Sequence, residues 1–335
     1  MREKKQQYDI IGDVHGRWDK LEPLLSKLGY EHDGLCHVHP EGRKAIFLGD
    51  LIDPKGDVPN GVREVLVAVK AMCDAGHAQC ILGNHELHFA AYHTRNPNYT
   101  EGISNKDQEF LKPHYKSSKS YKMHIGTHAA LDEQEIKDAW LPWIKQLPFF
   151  IELPGLRVVH ACWHDESIKL LGHKRLKDDD FLHACVGKPL KGCKPEKDHV
   201  IYRAAEIVCK GVEIPMPKGH SFEDHQGTER FKFRARWWEK EAKDIRARSL
   251  VFPASRAITD EEVDPVEVAK LPGYCKHAAP VFIGHYYKRA DSEMVPEAHN
   301  VSCIDHSAAN GGPLVAYRWD GEARCNAANY VAQNN

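Results

Sequence analysis

Hydrophobic runs alternate with amphipathic stretches along the first third of the chain. Short apolar runs at 8–12, 45–49 and 78–83 contain β-branched residues and predict buried strands. Between them, apolar residues recur at helical spacing over 21–28 and 62–73. Two consecutive strand–helix–strand units predict an α/β fold, with a partly parallel sheet covered by helices.

Strands return in the second half of the chain. Apolar runs at 149–153 and 156–160 flank Pro154 and Gly155, and this pattern predicts a β-hairpin. Three further strands are predicted at 281–285, 301–306 and 314–320. The predicted strands therefore lie near both ends of the chain and in its middle.

Two polar segments interrupt this pattern. Residues from about 94 to 148 are lysine-rich and partly helical, and those from about 165 to 275 show no clear periodicity. Interleaved lysines and tyrosines at 112–122 favour a solvated face over a nucleic-acid patch. We expect one domain over residues 1–335, in which both segments are largely helical or irregular insertions, and a loosely held tail over residues 326–335.

Composition and charge narrow the functional classes. The chain carries a formal net charge of -2 and a sequence pI of about 6.9, so no global field favours nucleic acid or an anionic membrane. The ten cysteines are scattered without a Cys-x-x-Cys pair, as expected of reduced thiols in the cytosol. No leader-type segment opens the chain, and no apolar run approaches the ~20 residues of a membrane span. We expect a cytoplasmic protein, and the sequence does not determine its oligomeric state.

Several predicted strands end on the same kind of sequence. A small residue and a side chain with an oxygen or imidazole donor follow the apolar run. The candidate donors are Asp13, His15, Asp50, Asn84, His160 and His285. Oxygen and imidazole donors without a thiolate suit Mn²⁺, Fe or Zn²⁺ at a catalytic centre, and a set of this size favours two metal ions over one.

Taken together, these motifs resemble a known family. Asp-x-His at 13–15, Gly-Asp-x-x-Asp at 49–53 and Gly-Asn-His-Glu at 83–86, followed by His160 and His285, are similar to motifs of the calcineurin-like metallophosphoesterases. Within them the chain most resembles the phosphoprotein phosphatase family, in the prokaryotic branch that also contains diadenosine tetraphosphate hydrolases. The resemblance implies a central β-sandwich flanked by helices, with metal ligands on loops at one edge.

The resemblance also implies a role for each residue. Asp13 and His15 would hold one metal ion, which Asp50 would bridge to a second. The other ligands of the second metal would be Asn84, His160 and His285. His85 would be the general acid, with Asp53 orienting its ring, while a hydroxide that bridges the metals attacks phosphorus. Two simpler interpretations stay open, with Asn84 as a helix N-cap and His85 as an exposed turn histidine.

The phosphate-binding residues depart from the family's pattern. The family has Asp-Arg-Gly where this chain has Asp-Pro-Lys-Gly at 53–56, and Lys55 supplies a point charge without the two-donor fork of arginine. For a second phosphate-binding arginine, we favour Arg236, with Arg234 and Arg203 as competitors. We expect the missing first arginine to weaken phosphate binding and to mark a different substrate.

Other polar residues near the strand ends have less specific assignments. Asp305 ends a predicted strand and is expected to support a metal-bound histidine from outside the ligand set. Tyr286 and Tyr287 either hydrogen-bond the phosphate or pack, and packing is favoured for at least one of them. His164 and Asp165 either line the cleft or form a surface turn.

These features favour an enzyme, a metal-dependent phosphatase acting on phosphomonoesters. A phosphoprotein phosphatase for Ser, Thr or Tyr phosphate is the first interpretation. A dinucleoside polyphosphate or nucleotide hydrolase is the alternative, for which Trp237, Trp238 and Tyr287 could wall a base pocket. A non-catalytic phosphate- or metal-binding module is supported by Pro54 alone, and the predicted acid with its orienting carboxylate weighs against it.

Overall fold

The computed structural model describes residues 6–56, 59–96, 99, 101, 109–187, 195–224, 227–239 and 242–334. In chain order the strands are β1 (Tyr8–Ile11), β2 (Glu31–His32), β3 (His37–Val38), β4 (Lys44–Phe47), β5 (Ala78–Cys80), β6 (Phe150–Leu153), β7 (Leu156–Val159), β8 (Glu213–Pro215), β9 (Phe222–Glu223), β10 (Glu229–Arg230), β11 (Lys232–Arg234), β12 (Val281–Ile283), β13 (Val301–Cys303), β14 (Leu314–Trp319) and β15 (Tyr330–Gln333). The α-helices are α1 (Trp18–Leu28), α2 (Val62–Asp74), α3 (Asn84–Tyr92), α4 (Lys119–Met123), α5 (Ile125–Ala130), α6 (Glu133–Glu135), α7 (Leu141–Ile144), α8 (Asp165–Leu171), α9 (Asp179–Cys185), α10 (Pro195–Lys210), α11 (Ala247–Leu250) and α12 (Pro265–Val268). A π-helical turn, Ile136–Trp140, joins α6 to α7.

Two sheets form the centre of the fold. The first has five strands in the order β15–β14–β1–β4–β5, of which β1, β4 and β5 run parallel. The second has four strands in the order β13–β12–β7–β6, of which β13, β12 and β7 run parallel. Strands β6 and β7 form the predicted antiparallel hairpin, which is confirmed.

The two sheets pack face to face, with helices on their outer sides. Ile10 and Ile46 of the first sheet share one apolar cluster with Val158 and Phe282 of the second. On the other face of β4, Phe47 belongs to a second cluster that includes leucines of α1 and valines of α2. Because both faces of the central strands are buried, these strands are almost wholly apolar, as predicted.

Helical spacing determines which side of α1 is buried. Leu21, Leu24, Leu25 and Leu28 lie on one face and are almost fully buried. Gly29 follows the helix at a left-handed φ of +93°, and its backbone N–H bonds the carbonyl of Ser26. The predicted helix is therefore confirmed, and it covers the first sheet.

The segment 165–275 has two parts. Helices α8 to α10 contribute Ile168, Leu182 and Val208 to the large core cluster of the fold. The later part builds a small apolar cluster of its own, around the antiparallel pair β8 and β11 with Ile214 and Phe233. The first part thus belongs to the packing of the main fold, and the second has a cluster of its own but also contributes Trp237, Trp238 and Phe252 to the large core cluster.

The C-terminal tail differs from its prediction. Strand β15 pairs with β14, and the Tyr330 hydroxyl lies 2.5 Å from Ser302 Oγ of the second sheet. The expectation of a loosely held tail is wrong, because a strand this short has too few residues to show a clear alternation. Among the described residues, no helix combines the length and apolarity needed to cross a bilayer, and all nine cysteines are free thiols.

Candidate active site

The polar side chains after the parallel strands meet at one edge of the sandwich. Asp13 follows β1, Asp50 follows β4 and Asn84 follows β5 in the first sheet. His160 and His285 follow β7 and β12 in the second sheet. All five are buried, and the carboxyl ends of their parallel strands bring them together.

The loops that carry these residues adopt uncommon backbone conformations. His15, Asp50, Asp53 and His285 have left-handed φ values of +48°, +48°, +64° and +67°. Such values cost on the order of 1–3 kcal/mol for a residue with a side chain, and they concentrate at functional sites. Gly49 permits the close approach of two loops, since a Cβ on it would lie 2.2 Å from the backbone nitrogen of Gly83.

Asp50 lies between two groups of potential ligand atoms. Its Oδ2 is 3.7 Å from His15 Nε2 and 3.4 Å from His160 Nε2. One group comprises His15, Asp50 and His85, the other comprises Asp50, His160 and His285, and within each the donor atoms lie within 4.8 Å of one another. Asn84 Oδ1 is 2.6 Å from His285 Nδ1 and 3.2 Å from His160 Nε2, so it borders the second group.

Asp13 follows β1 and contacts the loop that carries His285. Its Oδ2 accepts a hydrogen bond from the backbone N–H of His285 at 2.9 Å. A Cβ on Gly284 would lie 2.0 Å from Asp13 Oδ1, so only glycine leaves room for the carboxylate here. The structure therefore assembles all six predicted metal ligands at one place.

Charge and burial shift the pKa values of this cluster strongly. Burial, with Asp305 nearby, raises the pKa of Asp13 well above its usual range. Against the effect of burial, His160 and His85 hold the pKa of Asp50 well below its usual range. Asp50 and Asp13 in turn outweigh burial and raise the pKa of His160 to about 10. The anionic form of Asp50 thus favours positive charge beside it, whereas burial disfavours the anionic form of Asp13.

Unpartnered donor atoms test whether metal ions fit this site. Asp13 Oδ1 and His285 Nε2 are buried and have no hydrogen-bond partner in the part of the chain that the structure describes. A buried polar atom left in this state costs about 1–3 kcal/mol unless a ligand satisfies it. Carboxylate oxygens and imidazole nitrogens without a thiolate are ligands for Mn²⁺, Fe or Zn²⁺. The residues therefore fit a metal centre.

His85 belongs to the first of these groups, with its Nε2 3.9 Å from Asp50 Oδ2, and it lines the cavity in front of them. Its Nδ1–H donates to Asp53 Oδ2 at 2.7 Å, so Nε2 is the ring nitrogen that is not bonded to Asp53. Although burial opposes the charged ring, Asp50 and Asp53 raise the pKa of His85 above its usual value. The interpretation of His85 as an exposed turn histidine is wrong because it is 8% exposed, and the N-cap of α3 is Gly83 in place of Asn84.

Two contacts of Asp53 were not anticipated from the sequence. His124 Nδ1 lies 2.9 Å from Asp53 Oδ2 and 3.1 Å from Oδ1. The Thr127 hydroxyl donates to Asp53 Oδ1 at 2.5 Å and accepts from the Asp53 backbone N–H at 3.0 Å. Both residues lie in the polar segment 94–148, where no local pattern marks a buried histidine.

Glu86 is a third unanticipated residue. Its carboxylate accepts hydrogen bonds from the backbone N–H groups of Asp50 at 2.8 Å, Leu51 at 2.8 Å and Gly83 at 3.0 Å. It therefore holds the loops after β4 and β5 together. The sequence did offer a signal, since a glutamate three residues after a helix N-cap is one half of a capping box.

Comparison with known protein families identifies the family to which the chain belongs. The family model described as calcineurin-like phosphoesterase matches residues 8–214. The chain belongs to the calcineurin-like phosphoesterase family. This match confirms the resemblance and the fold class predicted from the motifs, and it agrees with the predicted phosphoester hydrolase. Metal ions are the cofactors that the metallophosphoesterase family implies, and the ligand set described above fits them.

Curated relatives of this phosphoesterase share parts of its sequence. An asymmetrical bis(5'-nucleosyl)-tetraphosphatase PrpE of Halalkalibacterium halodurans is 46% identical over 79 residues, which are 24% of this chain and 30% of that protein. The protein of the same name from Bacillus cereus strain B4264 is 29% identical over 177 residues, 52% of this chain and 64% of that protein. The chain thus spans less than two thirds of the length of these relatives.

Among solved structures, a cold-active protein-tyrosine phosphatase of a psychrophilic Shewanella is similar to this phosphoesterase. The TM-score is 0.45 and the sequence identity 15%, over 98% of this chain and 80% of that chain.

The phosphoesterase has a cavity of about 910 Å³ in front of the donor groups. The cationic side chains that line it are Lys55, Lys119, Lys122, Arg230 and Arg234. They come from three separate segments of the chain, and Arg230 is paired with Asp224 at 2.6 Å. Two of the lysines belong to the predicted solvated face at 112–122, which therefore contributes to the cavity wall.

The arginine nearest the candidate ligands is not the one favoured from the sequence. Arg236 does not line the cavity; it pairs with Glu239 at 3.0 Å and lies over the Trp238 ring at 5.7 Å. Arg234 lines the cavity, 5.2 Å over the Tyr287 ring, and it lowers the pKa of His285 next to the effect of burial. Arg234 is the last residue of β11 and Arg236 lies beyond the strand, a difference that the pattern FRARWW does not reveal. Arg203 is exposed and does not line the cavity.

The remaining predicted residues divide between the cavity and the surrounding structure. Tyr287 and Pro54 line the cavity, whereas Tyr286 is fully buried and packs against Phe252. Asp305 lines the cavity and accepts from the backbone N–H groups of Tyr287 at 2.6 Å and Ser307 at 2.9 Å, so it fixes a loop, and among the described residues no hydrogen bond joins it to a histidine side chain. His164 caps α8, and Asp165 accepts from the Trp163 indole at 3.0 Å. These last two do not line the cavity, so the surface-turn interpretation fits them.

Proposed function

We propose that this chain is a dinuclear metal-dependent hydrolase of phosphoric esters and anhydrides. One observation carries the proposal, namely that Asp50 joins two groups of ligand atoms in a cavity that also holds the pair of His85 and Asp53. The metal ligands are Asp13, His15, Asp50, Asn84, His160 and His285. When bound, two metal ions supply Lewis acidity and a water activated for attack on phosphorus.

The chain's own residues perform three tasks in this proposal. Arg234 and Lys55 bind the phosphate oxygens from the cavity wall, where the planar guanidinium offers two donors and the lysine a point charge. His85 donates a proton from Nε2 to the leaving oxygen, because its Nδ1–H is committed to Asp53. Glu86 holds the loops that position Asp50 and His85. Each of these groups is set in place before the substrate binds.

For the substrate we propose a dinucleoside polyphosphate in preference to a phosphoprotein. The names of the curated relatives support this choice. So does the distribution of cations, since Lys55, Lys119, Lys122 and Arg234 come from separate segments and spread positive charge beyond one phosphate group. Two metal ions already neutralise a single phosphoryl group, so additional lysines match a longer polyphosphate.

A second chamber adjoins the cavity and suits a nucleobase. It has a volume of about 560 Å³ and shares Asn84, Arg234 and His285 with the main cavity as a common wall. Its aromatic lining comprises Phe222, Phe233, Phe252 and Tyr287. The tryptophans predicted for a base pocket are buried elsewhere, with Trp237 Nε1 donating to the Ala161 carbonyl at 3.1 Å. We therefore assign base binding to Phe222 and Tyr287, which line this chamber. The Tyr287 side chain is 37% exposed.

A substrate panel tests the proposal. The Mn²⁺-reconstituted protein is assayed with diadenosine tetraphosphate, a phosphotyrosine peptide, a phosphoserine peptide and O-phosphoserine. We expect kcat/KM for diadenosine tetraphosphate to exceed that of both peptides by about 10-fold or more, because only this substrate uses the lysines and the aromatic chamber. A preference for either peptide would replace the substrate proposal, and no hydrolysis of any compound would favour a non-catalytic binding module.

Phe222→Ala is expected to raise KM for diadenosine tetraphosphate. Loss of one aromatic stacking partner costs about 1–3 kcal/mol per base, which corresponds to roughly 5- to 150-fold in affinity. O-phosphoserine, which has no base, should keep its kinetic constants. Phe231→Ala is the matched control, because Phe231 is 62% exposed and lines neither chamber. If the two variants changed KM for diadenosine tetraphosphate equally, the proposal that the base binds in this chamber would be wrong.

Arg234→Ala is expected to raise KM for every phosphorylated substrate by about 10- to 100-fold, since it removes a charged hydrogen-bond donor worth about 1.5–3 kcal/mol. Arg236→Ala, two residues along the same segment, should leave KM within about twofold, because Arg236 does not line the cavity. Steady-state kinetics with p-nitrophenyl phosphate measure both. If Arg236→Ala raised KM and Arg234→Ala did not, Arg236 would be the phosphate-binding arginine, as favoured from the sequence.

A further inference from the structure

The carboxylate of Asp53 is shared by two imidazoles and a hydroxyl. Its Oδ2 accepts from His85 Nδ1 at 2.7 Å and from His124 Nδ1 at 2.9 Å. Its Oδ1 accepts from the Thr127 hydroxyl at 2.5 Å, with His124 Nδ1 at 3.1 Å. The carboxylate therefore receives one donor from the predicted acid and two from the polar segment 94–148.

His124 is placed so that it can act only through Asp53. It is fully buried at the junction of α4 and α5, and its Nε2 has no hydrogen-bond partner among the described residues. Its ring packs edge-on against Phe89 and Tyr92, at centroid distances of 5.4 and 5.3 Å. Both aromatic residues lie on α3, which also carries His85. One histidine thus contacts the orienting carboxylate and the helix that holds the predicted acid.

The donors around Asp53 limit how its carboxylate can rotate. A carboxylate with a single imidazole partner can turn about its last side-chain torsion, because that torsion is broad and nearly twofold. Here Oδ1 is held by Thr127 and Oδ2 by His124, while the backbone N–H of Asp53 also donates to the Thr127 hydroxyl at 3.0 Å. The oxygen that faces His85 is therefore fixed in position before substrate binds.

We propose that His124, together with Thr127, is a positioning residue for the reaction: it fixes Asp53 and through Asp53 aims the His85 ring at the leaving oxygen. The inference rests on the proposed function in one respect, the role of His85 as proton donor. It assigns to the segment 94–148 a part in the chemistry beyond supplying lysines to the cavity wall. Neither residue touches the substrate or the metal ligands in the contacts described above.

The test compares two aryl phosphates of similar shape in His124 variants. Phenyl phosphate has a basic leaving group that needs a proton, whereas p-nitrophenyl phosphate has a leaving group that needs it far less. For His124→Leu we expect kcat for phenyl phosphate to fall on the order of 10- to 100-fold with KM unchanged, and kcat for p-nitrophenyl phosphate to fall much less. His124→Asn, whose amide can still donate to Asp53, should recover most of the rate.

Thr127→Val tests the same inference in case His124→Leu fails to fold. It keeps the side-chain shape and removes only the hydroxyl. We expect the same selective loss, of smaller size, on phenyl phosphate. His128→Leu is the matched control, because His128 lies in α5 near His124 and stacks on His93, and among the described residues it makes no hydrogen bond to Asp53. It should leave both substrates unchanged.

The outcomes separate this inference from the proposed function. Equal losses on both phosphates in His124→Leu, without recovery in His124→Asn, indicate a purely structural residue and overturn the inference. Unchanged kinetics in both His124→Leu and Thr127→Val overturn it as well. In either case the assignment of His85 stands if His85→Asn still loses activity selectively on phenyl phosphate. If His85→Asn shows no selective loss, the proton-donor role and the inference fail together.

Discussion

His85→Asn is expected to lower kcat for phenyl phosphate by about 10²- to 10⁴-fold, with KM nearly unchanged. The imidazole can release a proton from Nε2 because its Nδ1–H is held by Asp53 at 2.7 Å, whereas an asparagine amide has no such proton to give. The loss should be much smaller for p-nitrophenyl phosphate. Steady-state kinetics of both substrates on the Mn²⁺-reconstituted protein measure the difference.

The control for this prediction is His93→Asn. His93 follows the same helix, α3, and contacts the aromatic rings of Phe89 and His128, but it does not line the cavity. It should retain its rate on both substrates. If His85→Asn kept the parental rate on phenyl phosphate, another group would have to supply the proton, and the cavity offers no second histidine that is paired with a carboxylate in this way among the described residues.

The six candidate ligands could be predicted because each one follows a strand that the sequence makes visible. A buried parallel strand is almost wholly apolar, so the first polar residue after it stands out, as Asp13 does after β1 and Asp50 after β4. Parallel strands then bring their carboxyl ends to one edge of the sheet, which converts distances along the chain into proximity. The proximity of the ligands could therefore be predicted without knowledge of the order of the strands in the sheet.

The residues around the ligands could not be predicted in the same way, because their roles depend on tertiary contacts. His124 lies 71 residues from Asp53 along the chain, in a segment of two short helices with a polar composition. Arg234 and Arg236 stand in one short pattern, and only the tertiary structure shows that Arg234, the last residue of β11, lines the cavity. The tail strand β15 forms because β14 offers it a free edge, which the local pattern cannot reveal.

Asp50→Asn is expected to have an effect as large as that of His85→Asn, but on metal binding as well as on rate. The Asp50 carboxylate belongs to both groups of ligand atoms, so its removal weakens both sites at once. A bound metal contributes several kcal/mol to transition-state stabilisation, and each 1.4 kcal/mol is tenfold in rate, so kcat should fall by roughly 10³-fold. Metal analysis after desalting should find less than about one ion per chain, against about two in the parent protein.

The asparagine variant should nevertheless fold. An amide Oδ1 can still accept the backbone N–H of His85, which Asp50 Oδ1 now accepts at 2.9 Å, and the side chain keeps its volume. In excess chelator the variant is expected to unfold at a lower temperature than the parent, because it loses the buried ion pair of Asp50 with His160. Added Mn²⁺ should raise the unfolding temperature of the parent alone, because a ligand at 100 times its Kd stabilises the folded state by about 2.7 kcal/mol.

A matched surface substitution completes the comparison. Asp74→Asn removes one carboxylate from the exposed end of α2, where it pairs with Lys70 at 2.5 Å, and should leave both metal content and rate unchanged. If Asp50→Asn retained two ions per chain and the Mn²⁺-dependent rise in unfolding temperature, Asp50 would not join two metal sites. The proximity of the six side chains would then have to be explained by hydrogen bonding alone, which leaves Asp13 Oδ1 and His285 Nε2 without partners.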